Sequence, residues 1–138
     1  MARAAFQSHL LRVAITALVT CGLMACAAEI NRKPVEFTAL RPGDSTGICT
    51  FAKEVTVTPA MGYPRTFAAG SKWQLIGRVP AGEVYRPASG VLTVESAQVH
   101  EAGLVIWQSK ITGFYLLVER SFFPLDPAVA VQLVQGVK

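Results

Sequence analysis

Gly103-Leu-Val-Ile-Trp107 and Ile111-Thr-Gly-Phe-Tyr-Leu-Leu-Val-Glu119 are two runs of aliphatic and aromatic residues separated only by Gln108-Ser-Lys110. So short a connection joins antiparallel neighbours, and the spacing predicts a β-hairpin. Neither run alternates apolar with polar as a half-solvated strand does. Both are apolar on both faces, which places the hairpin at the centre of a sheet or beneath another element. Because successive side chains of a strand point to opposite faces, Phe114 and Tyr115 cannot share one.

Outward from this hairpin, the chain from Ile48 consists of short apolar and β-branched runs punctuated by Gly and Pro at about eight- to twelve-residue spacing, the pattern of an antiparallel sandwich or small barrel. Strands are expected over 50–58, where Val55-Thr-Val57-Thr alternates, and over 72–79, with Trp73, Leu75 and Val79 on one face. Pro59-Ala-Met-Gly-Tyr-Pro64 between them reads as a loop, since proline cannot donate to a ladder. Further strands are expected over 83–86 and 91–95, the latter open to continuing as far as Trp107 with a break near Gly103. With the two runs of the hairpin this makes six, an all-β domain over 48–138. The tail admits two readings. Asp126-Pro127 and Gly136 would frame a short helix, whereas the alternation of Val129, Val131 and Leu133 favours a closing strand.

Residues 1–25 have the layout of an export signal: Arg3 and Arg12 in a basic region, the apolar run from Val13 to Ala25, and no acidic residue before Glu29. The uninterrupted run from Val13 to Ala28 is 16 residues. A spanning helix needs about 20, so a cleaved leader is expected ahead of an uncleaved anchor. At its end, Leu23-Met24-Ala25-Cys26 resembles the lipobox of bacterial lipoproteins. That resemblance covers the leader alone. It implies a diacylglyceryl group on the Cys26 thiol, further acylation of the freed amine and, since Ala27 is not the aspartate of an inner-membrane retention signal, residence at the periplasmic face of the outer membrane. Ordinary cleavage after Ala25-Cys26-Ala27 is the alternative, giving a soluble periplasmic or secreted protein. Residues 26–47, with two prolines after Glu29 and the turn-rich Arg41-Pro-Gly-Asp-Ser-Thr-Gly47, read as a lipid-anchored N-terminus and linker.

The chain has 138 residues, 51% of them hydrophobic and 16% charged, which makes one foldable domain and excludes a disordered polar chain. Its formal charge of +4 includes Arg3 and Arg12, so the processed chain carries +2. Beyond Arg32-Lys33 the cations are scattered, and no nucleic-acid partner is expected. Removal of the leader leaves Cys49 without a disulfide partner unless the cut lies upstream of Cys26, and in Ile48-Cys49-Thr50-Phe51 it reads as a small buried residue.

The chemistry-bearing residues form no motif. A metal site needs three or four ligands, and His100-Glu101 is the single histidine–carboxylate neighbour of the mature chain, its two side chains directed to opposite faces. Ser89 and Ser96 lack a nucleophile elbow, and Glu95 and Glu101 stand about 20 Å apart on a straight strand, too far for glycoside cleavage. No enzyme activity, metal or cofactor is expected. Trp73, Tyr85, Trp107, Phe114, Tyr115, Phe122 and Phe123 read mainly as core, with Phe122, Phe123 and Leu125, beside Arg120, as the candidate exposed contact patch. The function expected is that of a binding or structural component of a larger envelope complex. The alternative is a soluble ligand-binding or inhibitor protein.

Overall fold

A computed structural model describes residues 31–44 and 46–136, and the expected signal peptide and Cys26 lie outside them. The described chain is all β. Its strands are β1 (Lys33–Pro34), β2 (Thr38–Ala39), β3 (Ile48–Phe51), β4 (Val55–Val57), β5 (Arg65–Phe67), β6 (Lys72–Val79), β7 (Gly82–Pro87), β8 (Leu92–Glu95), β9 (Val99–Trp107), β10 (Lys110–Leu116), β11 (Ser121–Ala130) and β12 (Leu133–Gln135). Ten form one antiparallel sheet in the order β1-β11-β10-β9-β7-β6-β3-β12, with β2 also on β6 and β8 also on β9, while β4 and β5 pair separately.

The central hairpin stands where its sequence placed it, β9 against β10 with β7 and β11 outside them. Gln108 and Ser109 form its turn with φ of 48° and 59°, the double left-handed geometry whose twist matches the flanking strands. The sheet is not closed by a ladder. Instead the chain itself bridges its ends: Val131 N–H donates to Ser109 O (2.9 Å), Ala52 N–H donates to Gln132 O (2.9 Å), and β12 then pairs with β3. Residues 127–135 are therefore two strand segments, the end of β11 and β12, interrupted at Val131-Gln132, as the valine alternation favoured over a helix, and the framing Asp126-Pro127 and Gly136 start no helix.

The sheet wraps one main core, where Phe51, Trp73, Tyr85, Leu104, Ile106, Phe114, Leu116, Phe123 and Leu125 meet. The β4–β5 hairpin packs against it: Phe67 stands edge-on to Phe51 and Trp73, with centroids 6.1 and 5.2 Å away, while Phe51 stacks on Trp73 at 5.4 Å. Arg65 ties the hairpin to β8 through Glu95, Nη2 to Oε1 3.0 Å.

On the opposite face lies a second cluster of Val79, Val84, Val105 and Tyr115, covered by Val35, Phe37, Leu117 and Phe122. This is the other face of the central strands, and the N-terminal segment covers it. The stretch expected as a linker pairs Lys33 with Phe122 and Thr38 with Arg78, so it straps across the sheet from β11 to β6. Its polar composition conceals this role, because only Val35 and Phe37 face the sheet.

Several expected boundaries shift for local reasons. The strand expected over 50–58 breaks at Ala52-Lys53-Glu54 into β3 and β4, which belong to different sheets. The strand after Leu92 turns at Ser96, and β9 then runs through Gly103 unbroken. Val79 does not share a face with Trp73 and Leu75, since a register shift between Leu75 and Gly77 inserts an unpaired residue and turns Val79 to the outer cluster. The matching shift between Ile111 and Gly113 lets Ile111 and Phe114, three apart, both enter the main core.

Gly77 is where strap and sheet touch most closely, for a Cβ there would collide with the Phe37 ring and the Thr38 carbonyl. Gly77→Ala is expected to destabilise the fold by about 1–3 kcal/mol through overpacking. A lower urea midpoint with an unchanged m-value is the readout.

Candidate functional site

The β6–β7 hairpin places Arg78 directly opposite Glu83, and strand alternation puts Tyr85, two residues on, beside Glu83. Glu83 thereby accepts from both: Arg78 Nη2 at 3.4 Å on Oε1 and the Tyr85 hydroxyl at 2.8 Å on Oε2. Across from them, β3 brings Cys49 to β6 and β12 brings Gln135 opposite Cys49. The 40–47 loop supplies Leu40 and Asp44, whose carboxylate accepts the Arg41 N–H at 2.7 Å and fixes the turn. Together these residues bound a recess of about 290 Å³. At this volume it falls just short of the roughly 300–1,000 Å³ that small-molecule sites span, and Asp44, Arg78, Glu83 and Gln135 supply its polar lining.

Two groups in the recess are electrostatically silenced. Burial, with help from the Glu83 charge and against a backbone hydrogen bond, pushes the Cys49 thiol up to about 11. It stays protonated at neutral pH, which keeps the reactive thiolate scarce. Burial also raises the Tyr85 phenol, reinforced by its hydrogen bond to Glu83 and the charge there.

A second polar cluster lies at the other end of β9. His100 is only 7% exposed, turned inward, while its sequence neighbour Glu101 is exposed. The inward ring meets Glu119, from the turn after β10, through Nδ1 and Oε1. A carboxylate can only accept, so Nδ1 carries the proton and, in the neutral ring, Nε2 accepts from the Ser96 hydroxyl at 3.3 Å. Arg32 approaches the same Glu119 oxygen at 4.0 Å, joining the start of the strap to this chain of contacts. Burial works to raise the Glu119 pKa, but the His100 hydrogen bond, a backbone hydrogen bond and the charges of His100 and Arg32 outweigh it and hold the carboxyl below its usual range.

The contact patch expected at Phe122, Phe123 and Leu125 is not a surface. Phe123 and Leu125 are 1% and 5% exposed within the main core, and Phe122 packs into the outer cluster beside the strap. Alternation along β11 sends them to the two faces, both of which are covered. Ser96, read as having no activating context, is brought to His100 by the β8–β9 turn, and Glu119 arrives from a different hairpin. Nothing in the sequence links 96, 100 and 119. Among the described residues no three His, Cys, Asp or Glu side chains converge to hold a metal, and no helix is long and apolar enough to cross a membrane.

Two measurements test these environments. The Glu119 pKa is depressed by folding, so its contribution to stability is present above the unfolded carboxylate range, about pH 4.3, and is lost as pH falls through the folded value. Glu119→Gln should unfold at lower urea than the wild type at neutral pH, with the difference shrinking on acidification. Cys49 should resist a thiol reagent at about pH 8 in the native protein and react within minutes in denaturant, as read from the mass of its peptide.

No protein family, no curated protein and no solved structure matches this chain.

Proposed function

We propose that the chain is a bacterial cell-envelope lipoprotein, tethered through Cys26 at the periplasmic face of the outer membrane, that acts by binding as a component of a larger envelope complex and not as an enzyme. The observation that carries this reading is the leader, basic then apolar, ending at Leu23-Met-Ala-Cys26. Lys33, the first residue paired into the sheet, lies seven residue steps beyond Cys26. Even fully extended they reach about 25 Å. An anchor on Cys26 therefore keeps the bilayer within that distance of the corner where β1 meets the Leu117–Arg120 turn. The Trp107 hairpin, at the far end of β10, points away from it. Trp107 is 55% exposed, and Ile48 and Val134 stand on the outer face of the β3–β12 pair, apolar surface of the kind a partner covers.

A second reading, a soluble periplasmic or secreted protein that captures a small ligand or inhibits another protein, is favoured by the recess between Asp44, Arg78 and Glu83. The two part at the N-terminus. Intact mass of the protein recovered from bacterial membranes is expected to begin at Cys26 with acyl chains attached, and Cys26→Ala is expected to lose both the chains and the membrane attachment. Two or three chains bury enough CH₂ groups, at about 0.8 kcal/mol each, to make attachment persistent. An unmodified mass beginning near Ala28 would overturn the anchor and leave ligand capture as the reading.

A further inference from the structure

The polar cluster at the start of β9 has an order as well as a composition. Glu119 Oε1 meets His100 Nδ1, and the other ring nitrogen, Nε2, stands 3.3 Å from the Ser96 hydroxyl. With the ring proton held on Nδ1 by a carboxylate, Nε2 presents its lone pair to that hydroxyl. Carboxylate, imidazole and hydroxyl in this sequence are the arrangement that activates a serine for attack on a carbonyl carbon. A general base works from about 2.6–3.2 Å, and such contacts are commonly longer before a substrate closes them.

Exposure runs along the cluster in the sense a nucleophile needs. His100 is buried, whereas Ser96 is only partly buried, in the turn Ser96-Ala-Gln98 between β8 and β9. A solute therefore reaches the hydroxyl while water does not surround the base. The 59–64 loop lies against the same turn, for a Cβ on Gly62 would stand 2.7 Å from the Glu95 carbonyl oxygen, and this brings the exposed Tyr63 to its side. The hydroxyl has a second acceptor for its one proton, the Gln98 carbonyl at 3.3 Å, and its oxygen accepts the Gln98 N–H at 3.4 Å. All three contacts are long for their kind, and none of them locks the oxygen in place.

We propose that Ser96 is a nucleophilic acyl acceptor for carboxylic esters, with His100 as its base and Glu119 as the residue that positions the ring. Ser96 Oγ bonds to the ester carbonyl carbon while His100 Nε2 takes the hydroxyl proton. The tetrahedral adduct then collapses, the bond from that carbon to the alcohol oxygen breaks, and the leaving alkoxide departs with the proton as an alcohol. Ser96 keeps the acyl group as an ester and His100 is neutral again. The product is a covalent mode of capture, which goes beyond the tethered binding role and does not rest on acylation of Cys26.

Incubation of the purified protein with p-nitrophenyl butanoate, with the butanoyl group located by peptide mass, tests the assignment. General base assistance contributes about 10²–10⁴-fold, so Ser96 is expected to be acylated at least about a hundredfold faster than Ser89, an exposed serine of the β7–β8 turn that makes no hydrogen bond to His100. Urea unfolding should abolish that preference. Ser96→Ala should lose the fast label, and His100→Gln should slow Ser96 about a hundredfold. In Glu119→Gln the side-chain amide donates to Nδ1, which moves the ring proton to Nε2 and removes the base. Glu119→Asp restores a carboxylate and should recover part of the rate, even where its urea midpoint is no higher than that of Glu119→Gln. Acylation confined to lysines, Ser96 no faster than Ser89, or a Ser96 rate unchanged in both His100→Gln and Glu119→Gln would overturn the proposal. The comparison of Ser96 with Ser89 is made within the wild-type chain and stands if a variant fails to fold.

Discussion

Strands β9 and β10 are apolar on both faces, and a single chain of this length must dry both. Burying apolar surface contributes roughly 25 cal/mol per Å², and leaving one face of the central hairpin in water would forfeit that contribution along its whole length. The sheet answers by curling around the Phe51–Trp73–Phe114–Phe123 core on one side and by covering Val84, Val105 and Tyr115 with the chain's own residues 33–40 on the other. Everything else is arranged around that double burial. The register shifts on β6 and β10 send Val79 outward and Ile111 inward, and β12 crosses to β3 because the sheet's two ends have to meet around the core.

Two recesses arise from the same geometry. Where the sheet's end is bridged by the 40–47 loop, β3 and β12, the inner-face column of Glu83 and Tyr85 is left facing Arg78, Asp44 and Gln135. Where the strap crosses a curved sheet that it cannot follow closely, space opens between Phe37 and Arg120. The strap's N-terminal end is held by Arg32 on Glu119, which also fixes the buried His100. Any anchor preceding residue 33 would pull on this corner of the domain, so the polar chain through Ser96, His100, Glu119 and Arg32 reads as the fastening of strap to sheet. One partly exposed ion pair contributes little by itself, but a hydrogen-bonded chain that includes a buried imidazole is costly to break.

The sequence by itself determined the all-β class, the central hairpin, the strand over 72–79 and the burial of Cys49, because period-2 patterning, β-branched residues and Gly/Pro punctuation are local signals. It also showed that Leu104-Val-Ile106 and Phe114-Tyr-Leu116 leave no polar side to expose, which fits either the centre of a sheet or a face covered by another element, and the structure has both. Which segment covers it was decided only by the tertiary structure. Val35 and Phe37 in a polar, proline-bearing stretch carry no periodic signature, and their role exists only when Gly77 lies beneath them. The same holds for Phe122, Phe123 and Leu125, whose exposure depended on whether both faces of β11 were occupied. Ser96 and His100 share one hairpin but Glu119 and Arg32 reach them from two other segments, just as Arg78 and Glu83 share a hairpin that Cys49 and Gln135 approach from elsewhere. Their meeting depends on register and on the path of β12 and the strap, which are properties of long-range pairing that local pattern does not encode.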